Sequence, residues 1–380
     1  MSTLITRVTA LDAHGAKQGA WVHLDGPDVV AVGVGDAPDI PGADVVDGAG
    51  GYLTPGFVDL HVHGGGGAAV EDGADGIRDL VAVHRAHGTT RTLLSLASAP
   101  LTALASSLDA IRETMTSDPT ILGAHLEGPF LAPRRRGAHE ERHLIEPSPE
   151  AVSALITAGH GILRQVTIAP ELPGAIAAIE RFVAAGVRVA IGHTDASAEV
   201  ARAAFDAGAT ILTHAFNAMP PISAREPGPL GAALADDRVT IEVIADGIHV
   251  APANLRWLAR ATVGRLALVT DAVAAASAAA GRYSFGGRAV DADASGRAVL
   301  PGSDTLAGST LTLDRAFRVA ANDAGIGPRG AIAALTRNPA RALGYGERFG
   351  LLAAGFAADA VLLTESLEVE AVWADGHRVR

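Results

Sequence analysis

The middle of this chain alternates short apolar runs with longer stretches whose apolar positions recur every three or four residues. The short runs are rich in Val, Ile, Leu and Thr and end on Gly, Pro or polar residues, as strands do. They predict strands at 56–63, 91–97, 121–127, 164–169, 188–193, 210–214, 240–245 and 266–270. The stretches 73–87, 101–115, 149–158, 175–185, 197–207 and 252–262 predict helices between them. Strands separated by helices argue for a parallel sheet, because parallel neighbours need a crossover connection. Eight such units across 55–345 fit a closed (β/α)8, TIM-like barrel of the α/β class better than an open doubly wound sheet. The glycines 64–67 that follow the first strand lack the spacing of a dinucleotide fingerprint.

The two ends have another texture. Residues 1–54 and 346–380 are short alternating segments broken by Gly, Asp and Pro, and they predict one small β-sandwich domain built from both termini. Residues 283–300, with turns at Gly286-Gly287 and Ser295-Gly296, read as a hairpin inserted after the eighth strand.

Composition narrows the function classes. The formal charge is −12, which disfavours nucleic acid and anionic membranes as partners, since both are bound through clustered Lys and Arg. The run Arg134-Arg135-Arg136 is too short to reverse that. There is no cysteine, so disulfides, thiolate metal sites and thiol nucleophiles are excluded. No leader pattern opens the sequence and no apolar run approaches ~20 residues, so a cytoplasmic protein is expected. The chain holds a single lysine, Lys17, so neither a Schiff-base lysine nor a carbamylated bridging lysine is available inside the barrel.

Active sites of such barrels lie at the C-terminal ends of the strands. His61 and His63 end the first strand and, two residues apart, share a face, where they can hold one Zn²⁺ or Fe²⁺. A pair of partly exposed histidines is the alternative. Glu127 follows an apolar strand and needs a cation or hydrogen-bond donors, either a metal or a structural salt bridge. His193 and His214 end strands five and six, and each alone reads more readily as a hydrogen-bonded core histidine. Taken together, Glu127, His193 and His214 make a three-ligand set with one open position, the arrangement of catalytic metal sites. Asp271 ends the eighth strand. It suits a general base beside a metal that acidifies water, with metal ligation or a structural role as alternatives.

These residues lie in recognisable segments. The segments 125–130 (HLEGPF), 192–194 (GHT), 213–219 (THAFNAM), 225–228 (REPG) and 269–272 (VTDA) resemble the N-acetylglucosamine-6-phosphate deacetylase family of the amidohydrolase superfamily. The likeness runs from 54–59 to 336–340. It implies hydrolysis of an acetamide to an amino sugar phosphate and acetate, with one or two divalent ions per subunit (Zn²⁺, Fe²⁺, Co²⁺ or Mn²⁺), usually in a homodimer. On the matching positions it implies that Glu127, His193 and His214 hold the catalytic metal and that Asp271 is base and then acid. His61 and His63 would hold a second ion, with Glu127 bridging. His139 would polarise the acyl carbonyl beside Ala138, and His249 would contact the substrate. The backbone N–H groups of Asn217 and Ala218 would bind the sugar phosphate together with Arg225, which reaches the neighbouring subunit's site. Leu306, Ala307 and Ser309 would lie near the substrate, where a helix opens. Cyclic-amide hydrolases of this superfamily usually bridge two metals with a carbamylated lysine, which this chain cannot supply. A non-catalytic sugar-phosphate sensor is a further alternative.

Overall fold

A computed structural model describes residues 2–380. Eight parallel strands pair in sequence order: Phe57–Val62, Thr89–Leu96, Ile121–Glu127, Leu163–Ile168, Arg188–Ile191, Ile211–Leu212, Thr240–Ile244 and Leu266–Val269. Backbone bonds then join the last strand's end to the first. The Asp271 N–H donates to the His61 carbonyl and the His63 N–H to the Ala272 carbonyl, both at 2.8 Å. At this seam buried Asp59 accepts the Thr270 hydroxyl at 2.6 Å. Burial lifts the Asp59 pKa to about 6 despite that bond.

The helices lie outside, each turning one stripe inward. Helix Leu101–Ser117 buries Leu104, Leu108 and Ile111, one residue per turn, at roughly 2 kcal/mol for each side chain removed from water. Two helices start as their sequences require. Ser148 precedes Pro149 and accepts the Ala151 N–H, while Ser197 accepts the Val200 N–H. One crossover helix, Gly228–Leu234, is too short and too Gly/Pro-rich to be seen in the pattern. No helix among the described residues is long and apolar enough to cross a membrane.

The chain ends form one mixed sheet of eight strands. Along the Ser2–Asp12 strand, Asp44–Asp47 pairs with residues 3–6 and Tyr52–Pro55 with residues 9–10, both in parallel. Tyr52–Pro55 in turn pairs with Ala360–Leu363, which joins the C-terminal strands to the N-terminal ones. The sheet has its own core, including Ile5, Val22, Leu24, Leu53, Leu362 and Trp373. The predicted hairpin is present as Gly281–Phe285 and Arg288–Ala292, with Ala298–Val299 added as a third strand.

Candidate metal centre and active site

The fifth and sixth strands stop two residues short of the histidines that the pattern includes in them. The reason is conformational. His193, His214 and Asp271 all have left-handed backbone, with φ of 49°, 28° and 48°. Each such residue costs roughly 1–3 kcal/mol and persists only where its surroundings hold it. The kink turns each side chain off the strand line into the barrel mouth. Gly137 also lies at positive φ, and a Cβ there would stand 3.4 Å from the His193 ring. Glu127 needs no kink, because it ends the third strand facing inward.

Six buried groups converge there. Glu127 Oε1 lies 3.1 Å from His193 Nε2 and 3.1 Å from His214 Nε2, and those two nitrogens are 3.0 Å apart. Glu127 Oε2 lies 3.2 Å from His63 Nε2, and His61 Nε2 is 3.0 Å from His63 Nε2. Asp271 Oδ1 completes the second group at 3.4 Å from His61 and 3.5 Å from His63. His61, His63, Glu127 and Asp271 thus form one cluster able to ligate an ion, and Glu127 touches both histidine pairs.

The tautomers decide what these contacts are. His193 Nδ1–H donates to the Arg135 carbonyl at 2.8 Å, so its Nε2 carries a lone pair. A lone pair 3.1 Å from a carboxylate oxygen is repulsive unless a cation lies between them. Tetrahedral ligands about 2.0–2.1 Å from an ion stand roughly 3.3 Å apart, close to the spacing found. The donor set therefore fits a divalent metal.

His139 differs. Its Nδ1 accepts the Ser98 N–H at 3.1 Å, so the proton sits on Nε2, which donates to Glu127 Oε2 at 3.1 Å. Burial holds its pKa at about 4, so the ring is neutral, and in this tautomer it offers Glu127 a proton where His193 offers a lone pair. Burial alone would raise Glu127, but the imidazoles of His61 and His139 hold it well below the carboxylate range. For Asp271 burial is likewise outweighed, by His61 and His63, and its carboxyl is lowered.

A cavity of about 380 Å³ opens over the cluster. Ala138, His139, Asn217, Ala218, His249 and Leu306 line it. His249 Nδ1–H donates to Asp246 at 2.7 Å, which frees Nε2 to accept from a ligand. The Asn217 N–H is already used, donating to the His214 carbonyl at 3.0 Å, whereas the Ala218 N–H has no protein acceptor. Three of the residues expected beside the substrate stay out of the cavity lining. Ser309 donates to the Thr270 carbonyl at 2.6 Å and buttresses the eighth strand, and Ala307 is buried behind it. The helix expected there opens only at Leu313, after Thr312. Arg225 is exposed and makes no ion pair, while Glu226 spends its carboxylate on the N–H groups of Ala198 and Gly228.

The cavity also holds residues that the strand-end argument passes over. Arg134 and Arg135 form part of its wall. Phe285, from the hairpin, packs edge-on against His63 and His139 at 4.9 and 5.7 Å. The arginine run is plain in the sequence, but its local pattern speaks only to polymer binding and not to the barrel mouth. Nothing in the alternation of the hairpin marks Phe285.

The family model described as "Amidohydrolase family" matches residues 52–379. The chain belongs to the amidohydrolase family. Among its relatives is the N-acetylgalactosamine-6-phosphate deacetylase of Escherichia coli O157:H7, 38% identical over 85% of this chain and 86% of that protein. The N-acetylglucosamine-6-phosphate deacetylase of Bos taurus is 36% identical over 86% and 83%. A solved structure of a Mycobacterium smegmatis N-acetyl-D-glucosamine-6-phosphate deacetylase mutant, in complex with N-acetyl-D-glucosamine-6-phosphate, superposes with TM-score 0.94 at 42% identity, covering 100% and 99% of the two chains. In this amidohydrolase Lys17 lies exposed on the Gly15–Asp25 strand of the small sheet, so the group shared by the two imidazole pairs is Glu127.

Proposed function

We propose that this amidohydrolase hydrolyses the acetamide of N-acetylglucosamine 6-phosphate, giving glucosamine 6-phosphate and acetate. The observation that carries this is the convergence of Glu127 Oε1, His193 Nε2 and His214 Nε2 within 3.0–3.1 Å, beside the carboxylate of Asp271 and the N–H of His139. Glu127, His193 and His214 hold one divalent ion, with His61 and His63 available for a second, and Zn²⁺ suits the donors best ahead of Fe²⁺, Co²⁺ and Mn²⁺. Such an ion supplies Lewis acidity toward water and the acyl oxygen.

The protein's own groups do the rest. Asp271 takes a proton from the attacking water and passes it to the amine as the C–N bond breaks. His139 Nε2–H donates to the acyl oxygen as negative charge builds there. His249 Nε2 accepts from a sugar hydroxyl, and the Ala218 N–H with Asn217 faces the phosphate. Leu306 packs against the sugar, while Ala307 and Ser309 support the wall from behind. Arg225, exposed and outside the lining of its own cavity, serves the site of a second copy, which makes a homodimer the working unit. Exposed Ile222 and Trp257 are apolar surface suited to such a contact. We place the enzyme in the cytoplasm, with residues 55–345 as the catalytic barrel and 1–54 plus 346–380 as the small domain.

The test is elemental analysis of the purified protein paired with acetate release from the 6-phosphates of N-acetylglucosamine and N-acetylgalactosamine and from both plain sugars. The likeness to a galactosamine-6-phosphate deacetylase makes the epimer the natural competitor. One or two divalent ions per chain and turnover of the glucosamine 6-phosphate derivative are expected. A metal-free protein that releases no acetate from either phosphate would reject the reading.

A further inference from the structure

Beneath the mouth, the barrel interior holds a second polar layer that the proposed reaction does not use. Glu242, on the seventh strand, is fully buried within it. Its Oε1 accepts the Gln165 amide N–H at 2.9 Å. Its Oε2 has no hydrogen-bond partner, and neither does His61 Nδ1, which faces it at 3.7 Å. A buried carboxylate oxygen without a donor costs several kcal/mol, so two orphaned and complementary atoms in van der Waals contact are not an arrangement a core adopts for packing. The gap is about 0.8 Å longer than an N–H···O bond, within reach of a small turn of the imidazole ring.

The four imidazoles read as metal ligands beside Glu127 are not supported alike. His193 has a neutral backbone carbonyl behind its Nδ1, while the Nδ1 atoms of His63 and His214 have no partner at all. Among the described residues, His61 is the one of these four whose Nδ1 has a carboxylate oxygen within 4 Å. His125, the neighbouring ring below, is not a substitute partner, because both its nitrogens are taken by the hydroxyls of Ser95 and Thr167 at 2.9 and 2.8 Å.

We propose that Glu242 is a positioning residue for a second metal ion, acting through His61. Accepting Nδ1–H fixes the ring in the tautomer whose Nε2 lone pair faces His63, Glu127 and Asp271. The negative charge of Glu242 also offsets the added positive charge of a second divalent ion. One carboxylate below the barrel mouth thereby sets whether the site holds one ion or two. This rests on the metal-centre reading above, and the experiment separates the two claims.

The full-length protein is stripped of metal and titrated with Zn²⁺ against a competing chelator, with bound metal also counted by elemental analysis. Wild type is expected to bind two ions per chain. Glu242→Gln should bind the first as wild type does and the second 10–100-fold more weakly, the usual penalty for losing a carboxylate behind a ligating histidine. His61→Asn should weaken the second ion more than Glu242→Gln does, and adding Glu242→Gln to it should change nothing further. Glu242→Asp, which keeps the charge, should weaken the second ion less than Glu242→Gln, and it serves as the test should the glutamine variant not fold. The proposal is overturned by an unchanged second affinity in Glu242→Gln, by equal weakening of both ions, or by additivity with His61→Asn. A wild type that binds one ion overturns it while leaving the Glu127–His193–His214 site intact. A wild type that binds none removes that site as well.

Discussion

Two clusters of buried charge lie in this molecule, one at each end of the barrel, and they are balanced differently. Near the start of the second strand Arg91 donates to Asp359 at 2.6 and 3.1 Å and to Asp375 at 2.9 Å, with Phe349 stacked under the guanidinium at 4.6 Å. Asp359 precedes the first C-terminal strand, so this network ties the small sheet to the barrel. Its cation is part of the protein, and the carboxylates it meets have their donors. At the mouth, Glu127 and Asp271 meet imidazoles, of which His193 turns a lone pair toward Glu127, and among the described residues no Lys or Arg enters the cluster. The base is a finished salt bridge, whereas the mouth is complete only with an exchangeable cation. Arg91 and Asp359 are as buried as the mouth residues, so burial does not separate scaffold from site, whereas the orientation of the donors does.

The largest effect that sharpens this contrast is on Asp271. Asp271→Asn should keep the ion of the Glu127–His193–His214 set and lose at least about a thousandfold in kcat, the cost of a missing acid–base group. Near-normal turnover would assign the carboxylate to the scaffold after all. At the other end, Arg91→Met leaves Asp359 buried without its cation. It should lower stability by about 3–5 kcal/mol in a denaturant titration, with metal content and kcat unchanged where the protein is folded. A drop in metal content without a drop in stability would mean that the two clusters are not independent.

The mouth was largely legible in the sequence because a parallel barrel converts position into geometry. His61, His63, Glu127, His193, His214 and Asp271 sit at predicted strand ends, and strand ends meet. What escaped was whatever depends on contacts between distant segments. The Arg91–Asp359 pair spans 268 positions with no local pattern to announce it. Phe285 enters the cavity only through the tilt of an inserted hairpin. Ser309 was placed beside the substrate by its motif, but its hydroxyl is consumed by the Thr270 carbonyl. The termini were expected to form a sandwich domain, and the pairing of Tyr52–Pro55 with Ala360–Leu363 shows how they join as one continuous sheet.

Arg225 tests whether the mouth borrows a cation from outside its own chain. Losing a charge-assisted phosphate contact costs about 2–3 kcal/mol, so Arg225→Ala should raise KM for the 6-phosphate roughly 30–100-fold. KM for the unphosphorylated sugar should barely move, and equal changes for both substrates would remove the phosphate role. Mixing Arg225→Ala with Asp271→Asn chains should restore part of the activity if each site draws its arginine from the partner copy.

The smallest effect concerns a carboxylate between the two extremes. Asp314 is buried, and its partners are His87 Nδ1 at 3.2 Å, Arg318 at 3.2 Å and the Thr312 hydroxyl. Burial pushes its pKa up, but His87, Thr312 and Arg318 together bring it down to about 2. The folded-state value lies below the ordinary 3.8, so the unfolded chain binds more protons across that interval. The stabilisation is therefore complete above pH 3.8 and is lost as pH falls through about 2, and its size is about 2 kcal/mol. Asp314→Asn should be less stable than wild type by that amount near neutral pH, and the two unfolding curves should converge at the acid end. A constant difference across the whole range would show that Asp314 contributes through packing or neutral hydrogen bonds, and that its charge, unlike those at the two ends of the barrel, is not what holds it in place.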